Sequence, residues 1–290
     1  MCKRPETLSR RPEWLQKKVN QSQQAAMLGL LGEMRLNTVC QQALCPNISE
    51  CFNSGQATFL ILGKNCTRLC SFCNVEKSAP QPLDPDEPKR VADAVVRLKL
   101  EHVVITSPTR DDLADGGAGH YAATIAAIRS AAPRVRIETL IPDFQGSRQS
   151  LATVMDAAPE IIAHNVETVP TLYHIRTGAD YSRSLELLRW CGEFGENIPV
   201  KSGIMLGLGE TWDEVEQVLS DLHRVGCSYL SIGQYLAPSR KHYPVKEYVR
   251  PDVFEGLRAM ALRMGFAHVE SGPYVRSSYH AAKYGSSAGR

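Results

Sequence analysis

The chain has 290 residues, of which 43% are hydrophobic, so it can bury one large core in one or two domains. Its 33 basic and 31 acidic residues give a formal net charge of +2, which lacks the basic excess of a nucleic-acid-binding protein. No run of 18 apolar residues occurs, so the sequence predicts no membrane-spanning helix. Cysteines without a secretory signal indicate a reducing, cytoplasmic compartment, where thiols stay available to bind metal.

The first part of the chain predicts an arm followed by a short helix. Residues 1–18 are basic, but their glutamates and prolines would disrupt the amphipathic helix of a mitochondrial presequence, so we expect a surface arm. Residues 23–34 place Ala26, Leu30 and Met34 on one side of a helix, which leads to the first cysteine group.

Six of the nine cysteines form two groups of three. The first triplet is Cys40, Cys45 and Cys51, and the second triplet is Cys66, Cys70 and Cys73. Structural zinc sites usually bring four ligands as two close pairs, a pattern that neither triplet has. Disulfides are not expected in a chain of this size without a secretory signal. We interpret the second triplet as iron–sulfur ligands, whereas spacing alone makes the first triplet only suggestive.

The spacing C-x3-C-x2-C of the second triplet offers three thiolates to a cluster that contains four irons. One iron of a [4Fe–4S] cluster would stay open, and an open iron can chelate the amino and carboxylate groups of S-adenosylmethionine. Electron transfer into the bound sulfonium then yields a 5′-deoxyadenosyl radical. The first triplet contains Pro46 and Asn47, which predict a loop whose backbone amides can point at cluster sulfurs.

From residue 57 onward, strand and helix patterns alternate. The predicted strands are residues 57–62, 102–106, 135–141, 161–166, 200–206 and 229–234. The predicted helices are residues 87–100, 121–132, 151–157, 182–193 and 211–225. The last helix opens on Thr211-Trp-Asp-Glu214, which predicts a capping box. Six repeats predict an α/β fold with a parallel sheet, too small for a closed eight-stranded barrel.

Polar side chains gather where these strands end, and chemistry in such sheets gathers at the carboxyl ends of the strands. Each polar residue alone is typical of a solvated or capping position, so the prediction depends on their shared location. We expect contacts with S-adenosylmethionine from six residues, with Ser107, Asn165, Glu167 and Arg176 holding its methionyl and ribose groups. The other two are Phe72 and Lys201.

Other glycines and cysteines give weaker signals. Gly207 and Gly209 lack the spacing of a dinucleotide-binding fingerprint and are typical of a turn. Cys2, Cys191 and Cys227 have no ligand spacing, and we expect the last two to be buried, inert thiols.

Near the C-terminus stands Arg276-Ser277-Ser278-Tyr279-His280-Ala281. Together with the two triplets and the Asn74 that follows them, this motif resembles the lipoyl synthase family. Further matching stretches are residues 57–63, 104–107, 110–120, 164–170, 203–210 and 233–241. Gln41, Gln42 and Ala114 depart from the pattern of many members, but none of these is a predicted ligand.

The resemblance implies a partial (β/α)6 TIM-like barrel with N-terminal and C-terminal extensions. The barrel would span residues 56–265, between extensions 1–55 and 266–290. It also implies a second, auxiliary [4Fe–4S] cluster held by the first triplet and by Ser278. A serine oxygen is an unusual iron ligand, and a labile Fe–O bond would suit a cluster that gives up its sulfur.

The activity implied is insertion of sulfur at C6 and C8 of an octanoyl chain carried on a protein lysine. These carbons have no acidic proton, so a radical is needed where acid–base catalysis fails. Implied partners are octanoylated carriers, either glycine cleavage H protein or lipoyl domains of 2-oxoacid dehydrogenases, and an electron donor such as flavodoxin or ferredoxin. Arg240, Lys241 and Lys246 are candidates for carrier docking, although a solvated basic loop has the same pattern.

Two alternatives stay open at the level of sequence. Biotin synthase is also a radical enzyme that inserts sulfur, but its resemblance would place auxiliary ligands in barrel strands. A two-cluster electron-transfer protein would need neither an open iron nor this alternating fold. Release of deoxyadenosine from S-adenosylmethionine distinguishes that carrier from both enzymes.

Overall fold

The computed structural model describes residues 11–16, 21–53, 56–195, 197–279 and 281. Most of the arm predicted for residues 1–18, together with Cys2 and His280, lies outside these ranges. Within them, no helix combines the length and hydrophobicity that crossing a membrane requires.

An eight-stranded sheet, whose strands follow one another in chain order, forms the centre of the fold. The strands are β1 (Asn37–Thr38), β2 (Thr58–Leu60), β3 (His102–Thr106), β4 (Arg136–Leu140), β5 (Ile161–Ala163), β6 (Val200–Leu206), β7 (Tyr229–Gln234) and β8 (His268–Gly272). Neighbours from β2 to β8 are parallel, whereas β1 pairs with β2 in the antiparallel sense. The six predicted strands are confirmed, and the edge strands β1 and β8 are additional.

Helices follow most strands and cover the outer face of the sheet. They are α1 (Gln21–Glu33), α2 (Val39–Gln42), α3 (Ile48–Asn53), α4 (Glu87–Arg97), α5 (Ala118–Ala131), α6 (Arg148–Asp156), α7 (Tyr181–Phe194), α8 (Trp212–Arg224) and α9 (Pro251–Met264). The six predicted helices are confirmed, as is the capping box between Thr211 and Glu214. Helix α9 was not predicted, although Pro251 at its start is a helix-initiation signal.

The two faces of the sheet differ in what they bury. On β3, Val103 and Ile105 join the hydrophobic core that contains Val95 of α4 and Ile125 of α5. Because successive side chains of a strand point to opposite faces, Val104 faces the other way, into what we call the inner face. This alternation, with a sheet that winds in chain order and stays open between β1 and β8, gives the partial barrel that the sequence implied.

The chain after β8 returns across the molecule, and we call residues 273–279 with 281 the C-terminal strap. Its Tyr274 carbonyl accepts a hydrogen bond from Asn47 Nδ2 at 2.6 Å. Farther along, Thr58 Oγ1 donates to Ser278 Oγ at 2.6 Å. Thr58 begins β2, so the strap reaches from the last strand to the opposite side of the open barrel.

Candidate active site

The second triplet lies in the loop that follows the carboxyl end of β2. The chain leaves the strand through Leu62 and Gly63, whose φ angles of 66° and 81° produce a sharp turn. Within the loop, Cys66 N donates to the Glu76 carbonyl at 2.8 Å, and Cys73 N donates to the Cys70 carbonyl at 3.2 Å. These bonds fold the three cysteines into one compact loop at the end of the sheet where the sequence predicted chemistry.

Backbone amides point at the sulfurs of this loop. Arg68 N lies 3.4 Å from Cys66 Sγ, and Val75 N lies 3.5 Å from Cys73 Sγ. Burial raises the pKa of the Cys73 thiol to about 12, and burial also raises the pKa of Cys70. Metal binding must therefore displace the proton from Cys70 and Cys73, and amide donors then stabilise thiolates, as they do around iron–sulfur clusters.

Arg68, between the first two cysteines of the loop, forms an anchor that the sequence did not reveal. Its guanidinium makes two hydrogen bonds to Asp111, at 2.7 and 3.0 Å, and two to Asp143, at 2.9 and 2.6 Å. Arg183 Nε adds a contact to Asp143 at 2.9 Å. Burial alone would raise the pKa of Asp143, but the hydrogen bonds and charge of Arg68 hold that pKa well below its usual range. Paired bidentate contacts of this kind fix the orientation of the loop.

The first triplet differs from the sequence prediction in its local structure. Cys40 lies on α2 and Cys51 on α3, and only Cys45 lies in the turn between them, so the loop predicted for the whole triplet is wrong. Thr38 starts α2 because its side chain accepts a hydrogen bond from Gln41 N. Pro46 and Asn47 lie in the turn that connects α2 and α3, whereas Cys40 and Cys51 lie in the helices on either side of it.

The first triplet and the C-terminal strap line one cavity of about 250 Å³. Its walls include the three cysteines, Ser278 and Tyr279. Burial raises the pKa of the Cys40 thiol to about 11. Three thiols and a hydroxyl therefore line one cavity, a donor set that fits the auxiliary cluster implied by the family resemblance.

The two triplets flank different ends of β2, and the segments that carry them contact each other, because Asn74 Nδ2 donates to the Gln42 carbonyl on α2 at 2.7 Å. The cavity of the first triplet is also lined by Thr58, which begins β2, and by His102, which begins β3. The second triplet follows the carboxyl end of β2. The inner face of the sheet therefore runs from one triplet towards the other.

Neither triplet converges on a single point. Across the described ranges, no three Cys, His, Asp or Glu side chains are arranged to hold one metal ion. In a [4Fe–4S] cluster each cysteine binds a different iron, so the ligands surround a cube.

Three of the predicted S-adenosylmethionine residues lie together just beyond β5. Asn165 Nδ2 donates to Glu167 Oε1 at 3.0 Å, and Arg176 Nη1 donates to the Val166 carbonyl at 3.0 Å. Asn165 Oδ1 and Arg176 Nε are buried and have no hydrogen-bond partner among the described residues. Burial raises the pKa of Glu167, and the nearby positive charge of Arg176 offsets only part of that increase. This cluster combines a carboxylate, a guanidinium and an amide with hydrogen-bonding capacity left for a polar ligand.

Gly203 on β6 makes room for this cluster. A side-chain carbon at this position would lie 2.9 Å from Asn165 Oδ1 and 2.6 Å from Ser231 Oγ. Any larger residue would push Asn165 away from its present place.

Ser107 and Phe72 lie at the same carboxyl end of the sheet but in separate surroundings. Ser107 Oγ accepts a hydrogen bond from Tyr121 OH at 3.0 Å. Phe72 belongs to the cysteine loop and is packed, half-buried, against a small apolar cluster. The buried members of that cluster are Ile175, Leu208, Tyr235 and Val245.

Lys201 differs from the other predicted site residues in lying near the start of its strand, although it shares a neighbour, Ser277, with Asn165. It is the second residue of β6, near the amino end of the strand, and its Nζ donates to Glu138 Oε1 at 2.8 Å. A second bond, at 2.5 Å, reaches the Ser277 carbonyl in the C-terminal strap. Although burial alone would raise it, the charge of Lys201 and a hydrogen bond with His102 keep the pKa of Glu138 below its usual value.

The basic residues proposed for docking lie beside the second triplet. Arg240, Lys241 and Lys246 are exposed in the segment after β7. That segment packs on the cysteine loop, because Tyr243 N donates to the Ser71 carbonyl at 2.9 Å. The charges are evident from the sequence, whereas their proximity to the cysteines depends on the fold.

Two further thiols among the described residues, Cys191 and Cys227, are buried away from both triplets. Cys191 lies on α7 and Cys227 just before β7, and both belong to the hydrophobic core, which confirms their prediction as buried thiols.

Comparison with known proteins gives relatives over nearly the whole chain. Residues 60–222 match the radical SAM superfamily. The chain is 67% identical over 278 residues to lipoyl synthase of Trichlorobacter lovleyi, covering 96% of this chain and 99% of that protein. It is 67% identical to lipoyl synthase of Geobacter metallireducens, covering 96% and 98%.

Solved structures resemble the fold at low sequence identity. Methylornithine synthase matches with a TM-score of 0.55 and 14% identity, over 72% of this chain and 69% of that chain. A maturase of the [FeFe]-hydrogenase matches with a TM-score of 0.58 and 16% identity, over 72% and 49%. Coproporphyrinogen III oxidase of Escherichia coli, described as a radical SAM enzyme, matches with a TM-score of 0.51 and 14% identity, over 70% and 51%.

Proposed function

The chain belongs to the lipoyl synthase family of radical S-adenosylmethionine enzymes, and we propose that it inserts sulfur at C6 and C8 of a protein-bound octanoyl-lysine. The observation that carries the proposal is the pair of cysteine triplets beside one inner face. One triplet lacks a fourth protein ligand among its neighbours in sequence, and the other shares its cavity with Ser278. This difference between the two ligand sets supports one site that generates the radical and a second site that donates sulfur.

We assign radical generation to the second triplet. A [4Fe–4S] cluster on Cys66, Cys70 and Cys73 would supply the electron that cleaves S-adenosylmethionine. The contribution of the chain is positional, since the Arg68 contacts to two aspartates hold the cysteine loop in place. Amides at Arg68 and Val75 offset negative charge on the sulfurs.

We assign S-adenosylmethionine binding to the residues beyond β5 and their neighbours. The Arg176 guanidinium suits a carboxylate, and the Glu167 carboxylate suits hydroxyl or ammonium donors. The unpaired Asn165 Oδ1 supports a polar ligand at this place. Ser107 offers a further hydroxyl, and Phe72 offers an aromatic face for packing.

We assign the auxiliary cluster and sulfur donation to the first triplet with Ser278, within the N-terminal and C-terminal extensions at 1–55 and 266–290. Four donor groups around a single cavity support this assignment. Ser278 Oγ already accepts a hydrogen bond from Thr58, which orients the oxygen at the cavity wall. A serine oxygen can leave iron more readily than a thiolate, which suits a cluster that is consumed.

The inner face between the two triplets is suited to an octanoyl chain. Leu60 and Val104 are buried there and do not join the core against the helices. An octanoyl chain would find apolar contacts with Leu60 and Val104 on this face, beside the polar pair Glu138 and Lys201 farther along the sheet.

The substrate of this family is a lipoyl carrier protein, and we propose either glycine cleavage H protein or a lipoyl domain of a 2-oxoacid dehydrogenase. An acidic electron donor such as flavodoxin or ferredoxin would complete the system in the cytoplasm. The exposed charges of Arg240, Lys241 and Lys246 beside the cysteine loop support docking of an acidic protein at that end.

The test is anaerobic reconstitution followed by mass spectrometry of an octanoylated carrier domain, with deoxyadenosine measured in parallel. We expect two sulfur atoms on the carrier and two deoxyadenosines for each lipoyl group. Deoxyadenosine without sulfur on the octanoyl chain would contradict the assigned substrate. No deoxyadenosine at all would favour the electron-transfer alternative, and sulfur on dethiobiotin would favour biotin synthase.

A further inference from the structure

The C-terminal strap crosses the inner face at Ser277, where two strands hold it. Asn165 Nδ2, just beyond β5, donates to Ser277 Oγ at 2.5 Å. Lys201 Nζ, on β6, donates to the Ser277 carbonyl at 2.5 Å. Both the side chain and the backbone of this one residue are therefore attached to the sheet.

Lys201 acts from a buried position. Its side chain and that of Glu138 are each only 1% exposed. A buried ion pair is weak evidence for stability, because removing both charges from water opposes their attraction. In this protein the pair places the Lys201 ammonium so that it also donates to the Ser277 carbonyl of the strap.

A close backbone approach on β7 holds the strap on its other side. A side-chain carbon added at Gly233 would lie 2.2 Å from the Val275 carbonyl oxygen, so the strap backbone rests directly on the strand. Val275 and Ser277 therefore contact neighbouring strands, and the next residue along the strap is Ser278.

We propose that Lys201 is a positioning residue, which seats the strap through the Ser277 carbonyl and so sets where Ser278 meets the cavity of the first triplet. Its importance for catalysis rests on the proposed function, whereas its seating of the strap does not. This role differs from the S-adenosylmethionine contact that the sequence predicts for Lys201. Glu138 orients the ammonium, and His102, at the cavity wall, continues the chain of contacts.

The test compares three variants with the reconstituted parent enzyme by hydrogen exchange of the strap. Lys201→Met/Glu138→Gln removes both charges together, so that no carboxylate is left buried and unpaired. Gly233→Ala disturbs the same seat from β7 and leaves the ion pair in place. Lys89→Met, an exposed lysine on α4, is the matched control.

We expect strap amides to exchange about tenfold faster in the double variant and in Gly233→Ala, with α5 unchanged and the control equal to the parent. S-adenosylmethionine affinity should stay at the parent value, while lipoyl product for each deoxyadenosine falls. If the parent makes no lipoyl product, the proposed function fails, but the exchange result still stands.

Three results would overturn the proposal. Unchanged strap exchange with weaker S-adenosylmethionine binding would return Lys201 to the cofactor site. Faster strap exchange with an unchanged ratio of lipoyl product to deoxyadenosine would show that holding the strap in place does not control the function of Ser278. If the double variant does not fold, Gly233→Ala provides the test. Strap exchange equal to the parent in Gly233→Ala would show that the strap is not held against the sheet at this place.

Discussion

Asn165 Nδ2 lies 2.5 Å from Ser277 Oγ and donates a hydrogen bond to it. The same amide nitrogen donates to Glu167 Oε1 at 3.0 Å. One side chain at the end of β5 therefore contacts both the residues that we assign to S-adenosylmethionine and the neighbour of Ser278. If both assignments hold, a single amide joins the proposed S-adenosylmethionine site to the residue next to Ser278.

Replacing Ser277 by Ala should have a mild effect. The substitution removes the hydroxyl that accepts from Asn165, but it leaves the backbone carbonyl that accepts from Lys201. We expect the free energy of unfolding to fall by about 1 kcal/mol, the net value of one hydrogen bond. Thermal unfolding and lipoyl product measure the two effects. A loss of product as severe as that of Ser278→Ala would show that the Ser277 oxygen is itself required.

Iron and sulfide content tests the two triplets. Each [4Fe–4S] cluster contains four irons and four sulfides, so anaerobic analysis of the parent should give about eight of each per chain. Alanine at all three cysteines of either triplet should reduce both numbers to about four. A parent value near four would mean that one triplet is misassigned.

The two triplets should also differ in what their loss abolishes. Replacing Cys66, Cys70 and Cys73 by Ala should end reductive cleavage of S-adenosylmethionine, since no open iron remains to bind and reduce it. Replacing Cys40, Cys45 and Cys51 should spare cleavage and end sulfur insertion. Deoxyadenosine and lipoyl product, measured in the same single-turnover reaction, separate the outcomes. Lipoyl product from the second variant would refute the assigned sulfur donor.

The sequence predicted the elements that local pattern determines. Continuous apolar runs identified six strands, whereas β8 escaped because Val269 is its only buried apolar residue. The first triplet was placed in a loop because Pro46 dominates the local pattern. The Thr38 cap that begins α2 is a short-range signal that the pattern did not capture.

The candidate site shows where such reasoning stops. The rule that chemistry gathers at carboxyl strand ends correctly brought Asn165 and Glu167 together. The same rule does not apply to Lys201, because the predicted strand 200–206, which matches β6, already places this residue near the amino end of the strand. Arg68 pairs with Asp111 and Asp143, which lie 43 and 75 positions farther along the chain. No local sequence pattern predicts contacts over such separations.

Arg68→Met should destabilise the fold by about 3–5 kcal/mol, because it leaves the buried Asp143 with its charge less compensated. Arg68 lowers the pKa of Asp143 in the folded protein, so the contact stabilises fully above the unfolded carboxyl pKa of about 4. The stabilisation is lost as the pH falls below that value. The difference between variant and parent should therefore be smaller at low pH.

Urea unfolding of parent and Arg68→Met at neutral pH and at about pH 3 measures that difference. Arg240→Met removes an exposed arginine in the same region and is the control, with an expected change within about 0.5 kcal/mol. An equal loss at both pH values would show that Arg68 stabilises by packing and not through its charge.

Ser278 gives the sharpest test, because its role depends most on family resemblance. Its Oγ lies 2.6 Å from Thr58 Oγ1 and faces the cavity of the first triplet. Ser278→Ala removes the oxygen and keeps three thiols, so iron content should stay near that of the parent while lipoyl product falls about 100-fold or more, a loss of about 2.7 kcal/mol or more. Ser278→Cys should also assemble, yet its stronger bond to iron should resist the loss that sulfur donation requires.

The expected signature of Ser278→Cys is deoxyadenosine formation close to the parent with little lipoyl product. Thr58→Val is the matched control, because it removes the hydrogen bond to Ser278 and leaves the serine oxygen in place. Its product should fall less than that of Ser278→Ala if the oxygen itself binds iron. Equal losses in Thr58→Val and Ser278→Ala would mean that the hydrogen bond, and not ligation, is what matters. Full product from Ser278→Ala together with failure of Ser277→Ala would transfer the ligand to Ser277, and full product from both would leave the donor cluster without any serine ligand.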